Sequence, residues 1–229
     1  MVSNKKIERA INGPGFFEIT LGVVLSLVLG VLLGALHLVF KPVEVSAKPL
    51  EAPEVGKVYF VEGSVNSSKA RQWMRKRQML ADGNSADVSF TEEELNAWMS
   101  SVGPHPQKPA PASPAATANT ELFTPERVNF RIREGVLQVG LLGKVTLLGL
   151  TRDLVFQTRG TFVQGANGFE FAPREFYIGS LPTHVVPGLA PMLIKRAIAA
   201  QELPVDLETT WRQLKLVAVE DASVRLVLP

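Results

Sequence analysis

An uncharged apolar run near the N-terminus constrains this chain more than any other feature. Residues 19–40 contain no Asp, Glu, Lys or Arg, and the wider stretch 16–40 is FFEITLGVVLSLVLGVLLGALHLVF. At about 1.5 Å of rise per residue, a helix of this length matches the ~30 Å hydrocarbon core of a bilayer. The sequence therefore predicts a transmembrane helix over residues 16–40.

The charges that flank this run predict its orientation. Lys5, Lys6 and Arg9 precede it, and no comparable basic excess follows it. By the positive-inside bias, residues 1–15 stay in the cytoplasm and the rest of the chain is extracytoplasmic. A cleaved signal peptide also has a basic start, but its apolar run is only about 7–15 residues long and a small-residue cleavage motif follows it. We therefore expect a single-pass anchor in the cell membrane.

Small residues recur at every fourth position within the predicted helix. Gly22, Ser26, Gly30 and Gly34 lie along one stripe, where the backbone of another helix can approach closely. The partner helix would belong to another copy of this chain or to another subunit. Glycine is also frequent in membrane helices in general, which accounts for the stripe without a partner.

Composition divides the remaining chain into a tether, a domain and an inserted loop. Residues 41–55 contain three prolines and mixed charges, which predicts an extended tether. Residues 56–229 are long enough for a single domain with an ordinary core. Within them, residues 102–120 contain five prolines, and we expect a flexible loop there.

Two helices are predicted before that loop. Residues 67–81 combine good helix formers with a basic polar side, and no acidic residue occurs among them. This side is a candidate for contact with anionic lipid headgroups, although an ordinary solvated face shows the same pattern. The candidate contacts are Lys69, Arg71, Arg75, Lys76 and Arg77.

The second helix follows a short strand predicted at residues 87–90. Thr91 is placed to cap it, and Glu94 completes a capping box at the position where the helix dipole favours acids. The three consecutive carboxylates of residues 92–94 are therefore explained without catalytic chemistry.

From residue 127 onward, apolar and polar residues alternate with the period of a β-strand. Four such segments separated by short turns predict an antiparallel meander, with a bulge or an edge at Pro173. A helix over residues 186–200 is expected to cover its apolar face, and strands at 214–219 and 223–228 to close the sheet. The fold class is thus α+β: one N-terminal transmembrane helix, then a single domain with an antiparallel meander sheet packed on two or three helices.

Residue types that catalyse reactions or bind metals are sparse in this sequence. The chain has no cysteine, and its three histidines, His37, His105 and His184, form no metal-ligand spacing. A nucleophile elbow and a phosphate-binding glycine loop are absent as well. Asp206 and Glu208 could form an acid–base pair, but surface carboxylates are the simpler account. Because these motifs are missing, we expect no enzyme and no cofactor. The net charge of +2 gives no reason to expect a nucleic-acid partner.

Three short motifs resemble those of a known family. They are FTEEELN at residues 90–96, NGFEF at 167–171 and IGSLP at 178–182. Together with the anchor, they resemble the YpmS-like single-pass bacterial envelope proteins, whose pattern is similar to tubular lipid-binding (TULIP-type) domains. The insertion at residues 102–120 departs from that pattern. The resemblance implies a curved sheet around a helix that encloses an apolar cleft for acyl chains, and it supplies no catalytic residues.

The apolar positions of the meander and its covering helix are the candidate lining of such a cleft. Packing against a second layer or a subunit would use the same positions. We expect the domain to bind membrane lipid or another apolar envelope component without catalysis; the alternative is a structural or accessory subunit of a membrane complex, recruited through its transmembrane helix. The candidate lining residues are Phe130, Leu137, Val139, Leu141, Leu154, Phe156, Phe162, Phe169, Phe171, Met192 and Leu193.

Overall fold

A computed structural model describes most of the chain and divides it into two compact units, Met1–Val39 and Phe40–Pro229. The described residues are 13, 15–50, 52, 54–82, 87–102, 123–147, 149–165, 168–185, 188, 192 and 205–229.

Helix α1 spans Phe16–Phe40, with the bounds that the sequence predicts, and all of it except its last residue belongs to the first unit. Its most apolar window has a mean hydropathy of 2.6, and none of that window is buried. Among the described residues, it is the one helix long and apolar enough to cross a membrane.

The second unit is an α+β fold. Its described helices are α2 (Ala70–Ala81), α3 (Glu92–Val102) and α4 (Val205–Gln213), with short 3-10 turns at Ser67–Lys69 and Thr183–Val185. Its described strands are β1 (Glu44–Ser46), β2 (Tyr59–Val61), β3 (Asp87–Thr91), β4 (Phe123–Arg133), β5 (Val136–Leu147), β6 (Leu150–Gly165), β7 (Gly168–Ile178), β8 (Leu181–Pro182), β9 (Leu216–Val219) and β10 (Ser223–Val227).

The predicted meander is confirmed. Strands β4 to β8 form one antiparallel sheet in chain order. Glu134 and Gly135 both have positive φ, which matches the twist of a tight hairpin turn between β4 and β5. The register between β6 and β7 shifts where Arg159 and Gly160 face Glu175 and Pro173, so the irregularity predicted at Pro173 is present.

The C-terminal strands do not close the meander, and that prediction was wrong. Strands β9 and β10 pair with β3 in a separate three-stranded sheet of order β3-β10-β9. The free edge of β4, where an added strand would pair, is instead contacted by side chains of α3. The apolar face of the meander packs on this second sheet as well as on helices, because all of them contribute side chains to one core cluster.

The core lies between these two sheets and the helices beside them. Its buried members include Ile132 and Leu137 of the meander with Val88, Phe90 and Leu226 of the smaller sheet. Trp73 of α2 and Trp211 of α4 pack against the same cluster. Alternation in β3 and β10 places these apolar side chains on one face, which explains why the two sheets share a core.

The segment predicted as a tether is part of the second unit and contains regular structure. Strand β1, within residues 41–55, pairs in parallel with β2. The Ser180 hydroxyl donates to the carbonyl of Lys41 at 3.3 Å, and the ammonium of Lys41 donates to the carbonyl of Gly56 at 2.7 Å. The chain is therefore hydrogen-bonded to the rest of the second unit from Lys41 onward.

Two predictions fall largely on residues that the structure does not describe. The proline-rich loop at residues 102–120 lies outside the described residues from 103 onward, and the predicted covering helix at 186–200 is described only at Gly188 and Met192.

Candidate functional site

The register of the meander assigns its side chains to two faces of opposite character. The cross-strand pairs Phe130–Val139, Leu141–Phe156 and Phe162–Phe171 lie on one face, so the predicted lining residues of strands β4 to β7 share a side of the sheet. We call this side the apolar face. The pairs Arg131–Gln138 and Gln138–Arg159 lie on the opposite side, which we call the polar face.

One end of the apolar face belongs to the core. Leu137 is a buried member of the core cluster. Five further candidate lining residues pack against that cluster: Phe130, Val139, Phe162, Phe169 and Phe171. These six positions therefore contribute to the stability of the unit.

The other end of the apolar face lies apart from that cluster. Among the described residues, several half-buried apolar side chains of this face are not members of the core cluster, and we call them the distal apolar end: Phe123, Val128, Leu141, Val145, Phe156 and Ile178. Phe123 packs edge-on against Phe156, with ring centroids 5.0 Å apart, and Leu154 is buried beside them. Met192 is 56% exposed, and Leu193 lies outside the described residues. Of the predicted lining, Leu141 and Phe156 thus remain as candidate ligand contacts.

The polar face is covered at its centre by the segment around β2. Phe60 is fully buried, and a Cβ built on Gly140 would lie 2.1 Å from its ring. Gly140 is therefore a glycine because the Phe60 ring occupies the space of a side chain. The Gln138 amide donates to the carbonyl of Val61 at 3.2 Å, which fixes the position of the segment.

Two asparagine amides join this segment, α3 and β4. The Asn129 amide pairs with both backbone groups of Gly63, accepting at 2.7 Å and donating at 3.3 Å. The Asn96 amide pairs in the same way with Phe130 and also donates to the carbonyl of Ser64 at 2.9 Å. Because each amide offers a donor and an acceptor, it satisfies backbone groups as a neighbouring strand would.

Glu92 is a buried carboxylate with a structural set of partners. It accepts from the backbone N–H of Ser64 at 2.5 Å and of Ile132 at 2.9 Å, and it pairs with the guanidinium of Arg133 at 3.1 Å. Its oxygens are occupied by groups that hold α3 on the edge of β4. Glu92 therefore has a structural role in addition to its predicted position in the first turn of the helix.

The predicted capping box is confirmed and is part of a larger cluster. Glu94 accepts from the backbone N–H of Thr91 at 2.9 Å, and its own N–H donates to the Thr91 hydroxyl at 3.4 Å. Its carboxylate is only 1% exposed and also accepts from the ammonium of Lys76 at 2.6 Å. The same ammonium donates to the carbonyl of Ser89, so Lys76 joins α2 to both β3 and α3.

This cluster gives Lys76 a role that differs from those of the other candidate headgroup contacts, which are Lys69 at the end of the preceding 3-10 turn and Arg71, Arg75 and Arg77 on α2. Arg71 and Arg75 are exposed, whereas Lys69 and Arg77 are half-buried. Lys76 is half-buried and is held by the buried carboxylate of Glu94, which makes its placement structural.

The small-residue stripe of α1 is open in the structure. A Cβ built on Gly22, Gly30 or Gly34 meets no atom within 4 Å, and Ser26 is exposed.

Metal-ligating side chains are not clustered in the part of the chain that the structure describes. No group of three His, Cys, Asp or Glu residues within those ranges could hold a metal ion. The ring of His184 lies against Tyr177, and its Nδ1 is 3.2 Å from the carbonyl oxygen of Phe176. Burial raises the pKa of the Tyr177 hydroxyl, with a further contribution from Glu175.

Most of the contacts on the polar face cannot be predicted from the periodicity of the sequence. The exception is Gly140, because a glycine inside an alternating strand indicates close approach of another group. Asn129 and Gln138 are buried polar residues on the face expected to meet solvent, and their environment depends on the segment that crosses them.

Comparisons of the chain with protein-family models, with curated proteins and with solved structures find no match.

Proposed function

We propose that this chain is a single-pass cell-membrane protein whose extracytoplasmic α+β unit binds lipid or another apolar envelope component without catalysing a reaction. The observation that carries the proposal is the distal apolar end, a group of half-buried side chains on the meander that lies apart from the described core cluster. Full burial of a side chain such as Leu or Phe is worth about 1.5–3 kcal/mol. An acyl chain over Leu141, Phe156 and Ile178 would gain part of that free energy.

The anchor and its flanks support the proposed location. Helix α1 would hold the second unit beside the bilayer, which is the source of acyl chains. The basic residues Lys5, Lys6 and Arg9 favour a cytoplasmic N-terminus, so the α+β unit would lie on the other side.

Native mass spectrometry of the full chain released from detergent micelles tests the lipid proposal. We expect phospholipid to remain bound to the unaltered chain, and Phe156→Asp to reduce it because the new charge lies on the apolar face. Val163→Asp is the matched control, since Val163 is 48% exposed and faces away from the distal apolar end. Equal lipid retention in all three proteins would indicate only the lipid shell of α1 and would contradict the proposal.

A subunit of a membrane complex is the second candidate function, and the open stripe on α1 favours it. Gly22, Gly30 and Gly34 leave room for a second helix backbone at close range. Cross-linking in membranes should then detect a helix partner that Gly30→Leu with Gly34→Leu removes. Val31→Leu, at an exposed position off the stripe, should leave the cross-link unchanged. A lipid carrier would keep its ligand in both variants.

A further inference from the structure

A row of long polar side chains crosses the polar face of the meander. Arg131 on β4 faces Gln138 on β5, and Gln138 faces Arg159 on β6. Neighbouring strands are about 4.8 Å apart, so the backbone positions of the two arginines are separated by about 10 Å. Arg133 lies two residues along β4 from Arg131 and on the same face, about 7 Å away. The three arginines therefore share one face of the sheet around Gln138, which is itself buried beneath the segment of Val61.

Two of these three arginines have carboxylate partners. Arg133 pairs with Glu92 at 3.1 Å, and Arg159 pairs with Glu175 at 3.7 Å. The Nε of Arg159 also donates to the Gln138 side-chain oxygen at 3.2 Å. These contacts fix the positions of two positive charges on the sheet.

Arg131 differs from both of its neighbours. Within the described ranges, it makes no side-chain hydrogen bond or ion pair, although it is half-buried. Burial holds the pKa of its guanidinium below the usual value, and the charges of Arg133 and Arg159 lower it further, with Glu92 acting in the opposite direction. A half-buried cation beside two like charges is an arrangement that a bound anion would stabilise.

We propose that Arg131, together with Arg133 and Arg159, binds a phosphate group on the polar face. A guanidinium presents parallel N–H donors that match phosphate oxygens, and several of them can share one tetrahedral anion. The buried Gln138 accepts from Arg159 and donates to the carbonyl of Val61, so hydrogen bonds connect Arg159 to the buried part of the sheet. The phosphate would come from a lipid headgroup or from a free phosphate.

The site is independent of the proposed acyl-chain contacts because it lies on the opposite face of the sheet. Phe156→Asp should abolish lipid retention at the distal apolar end and leave the response to phosphate unchanged. Failure of either proposal can thus be recognised without reference to the other.

Thermal unfolding of the full chain in neutral detergent micelles, with and without inorganic phosphate, tests the proposal. Saturating phosphate should raise the Tm of the unaltered chain by about 5 °C. Arg131→Gln should remove the shift, and Arg131→Lys should reduce it because lysine keeps the charge but loses the paired donors. Lys215→Gln removes one positive charge from an exposed position just before β9 and should retain the full shift.

A parallel titration with short-chain phosphatidic acid distinguishes the two sources. If only phosphatidic acid gives a Tm shift that depends on Arg131, the site binds a lipid headgroup. If inorganic phosphate and phosphatidic acid both give such a shift, the site binds phosphate in general. Without ligand, Arg131→Gln should unfold at a Tm no lower than that of the unaltered chain, since it relieves repulsion between like charges. If neither probe shifts the unaltered chain more than it shifts Arg131→Gln, the proposal is overturned.

Discussion

The side-chain amide of Asn96 pairs with both backbone polar groups of Phe130. Its Oδ1 accepts from the Phe130 N–H at 2.7 Å, and its Nδ2 donates to the Phe130 carbonyl at 2.7 Å. An edge strand presents unpaired backbone groups that invite association with other chains. Here one residue of α3 occupies those groups at the centre of β4, which attaches the helix to the meander.

Replacement of Asn96 by alanine should destabilise the α+β unit by about 2–4 kcal/mol, because Asn96 is buried and the change removes its hydrogen bonds to three partly buried backbone groups of Phe130 and Ser64. Urea unfolding of the full chain in micelles, followed by the fluorescence of its three tryptophans, measures the change. Asn66→Ala removes an exposed cap and should cost only about 0.5–1 kcal/mol. Similar losses in the two variants would contradict the structural role of Asn96.

The pair formed by Lys76 and Glu94 should be strongly coupled. Glu94 is 1% exposed, and removal of one partner leaves the other charge poorly compensated in the interior. We expect a double-mutant cycle with Lys76→Met and Glu94→Gln to give a coupling free energy above about 1 kcal/mol. The exposed pair Lys57 and Glu54 should give a much smaller coupling in the same assay, because solvent screens both charges. Equal coupling in both cycles would show that burial has no effect at Glu94.

A side chain at position 140 should be incompatible with Phe60. Gly140→Ala places a methyl group 2.1 Å from the present position of the Phe60 ring, so one of them must move. We expect a loss of roughly 1–3 kcal/mol in the free energy of unfolding. Phe60→Leu should recover part of that loss when it is combined with Gly140→Ala, and an additive loss in the double variant would argue against the steric cause.

Stability should depend on pH through Asp87. Its hydrogen bond to Arg225 holds the pKa of the carboxyl below the usual value of 3.8 in the folded state. As the pH falls, Asp87 therefore takes up a proton in the unfolded chain before it does so in the folded chain. Its contribution to the free energy of unfolding is fully present above pH 3.8 and is lost as the pH falls through the lower pKa of the folded state. Asp87→Asn should be less stable than the unaltered chain at neutral pH. The urea midpoints of Asp87→Asn and the unaltered chain should converge as the pH falls below 3.8. A difference that stays constant as the pH falls would contradict the lowered pKa of Asp87.

Local patterns predict the elements of this fold well. The uncharged run has the bounds of α1, the alternation after residue 127 corresponds to strands β4 to β7, and the capping box at Thr91 and Glu94 forms as expected. Each of these features depends on residues close together in sequence, where period and capping chemistry are sufficient.

The relations between distant segments are the part that the sequence does not reveal. Glu92 and Asn96 act across a long separation on the edge of β4, and β10 pairs with β3 instead of with the meander. Strand β1 lies in a segment that its prolines suggested was a tether. The alternation of a strand determines which side chains share a face but not which strand lies beside it, so partners such as Phe60 and Gly140 emerge only in the fold.

Site-resolved cross-linking with a photoactivatable phospholipid tests the central claim most directly. The full chain is placed in lipid nanodiscs with a phospholipid that carries a diazirine at the end of one acyl chain, and labelled positions are mapped by mass spectrometry. Helix α1 should be labelled in every variant and is the internal reference.

The account predicts additional label at the distal apolar end, on the strand segments that carry Leu141, Phe156 and Ile178. Phe156→Asp should remove that label, and Val163→Asp should retain it. Label confined to residues 16–40 in the unaltered chain would contradict the proposal that the α+β unit binds lipid.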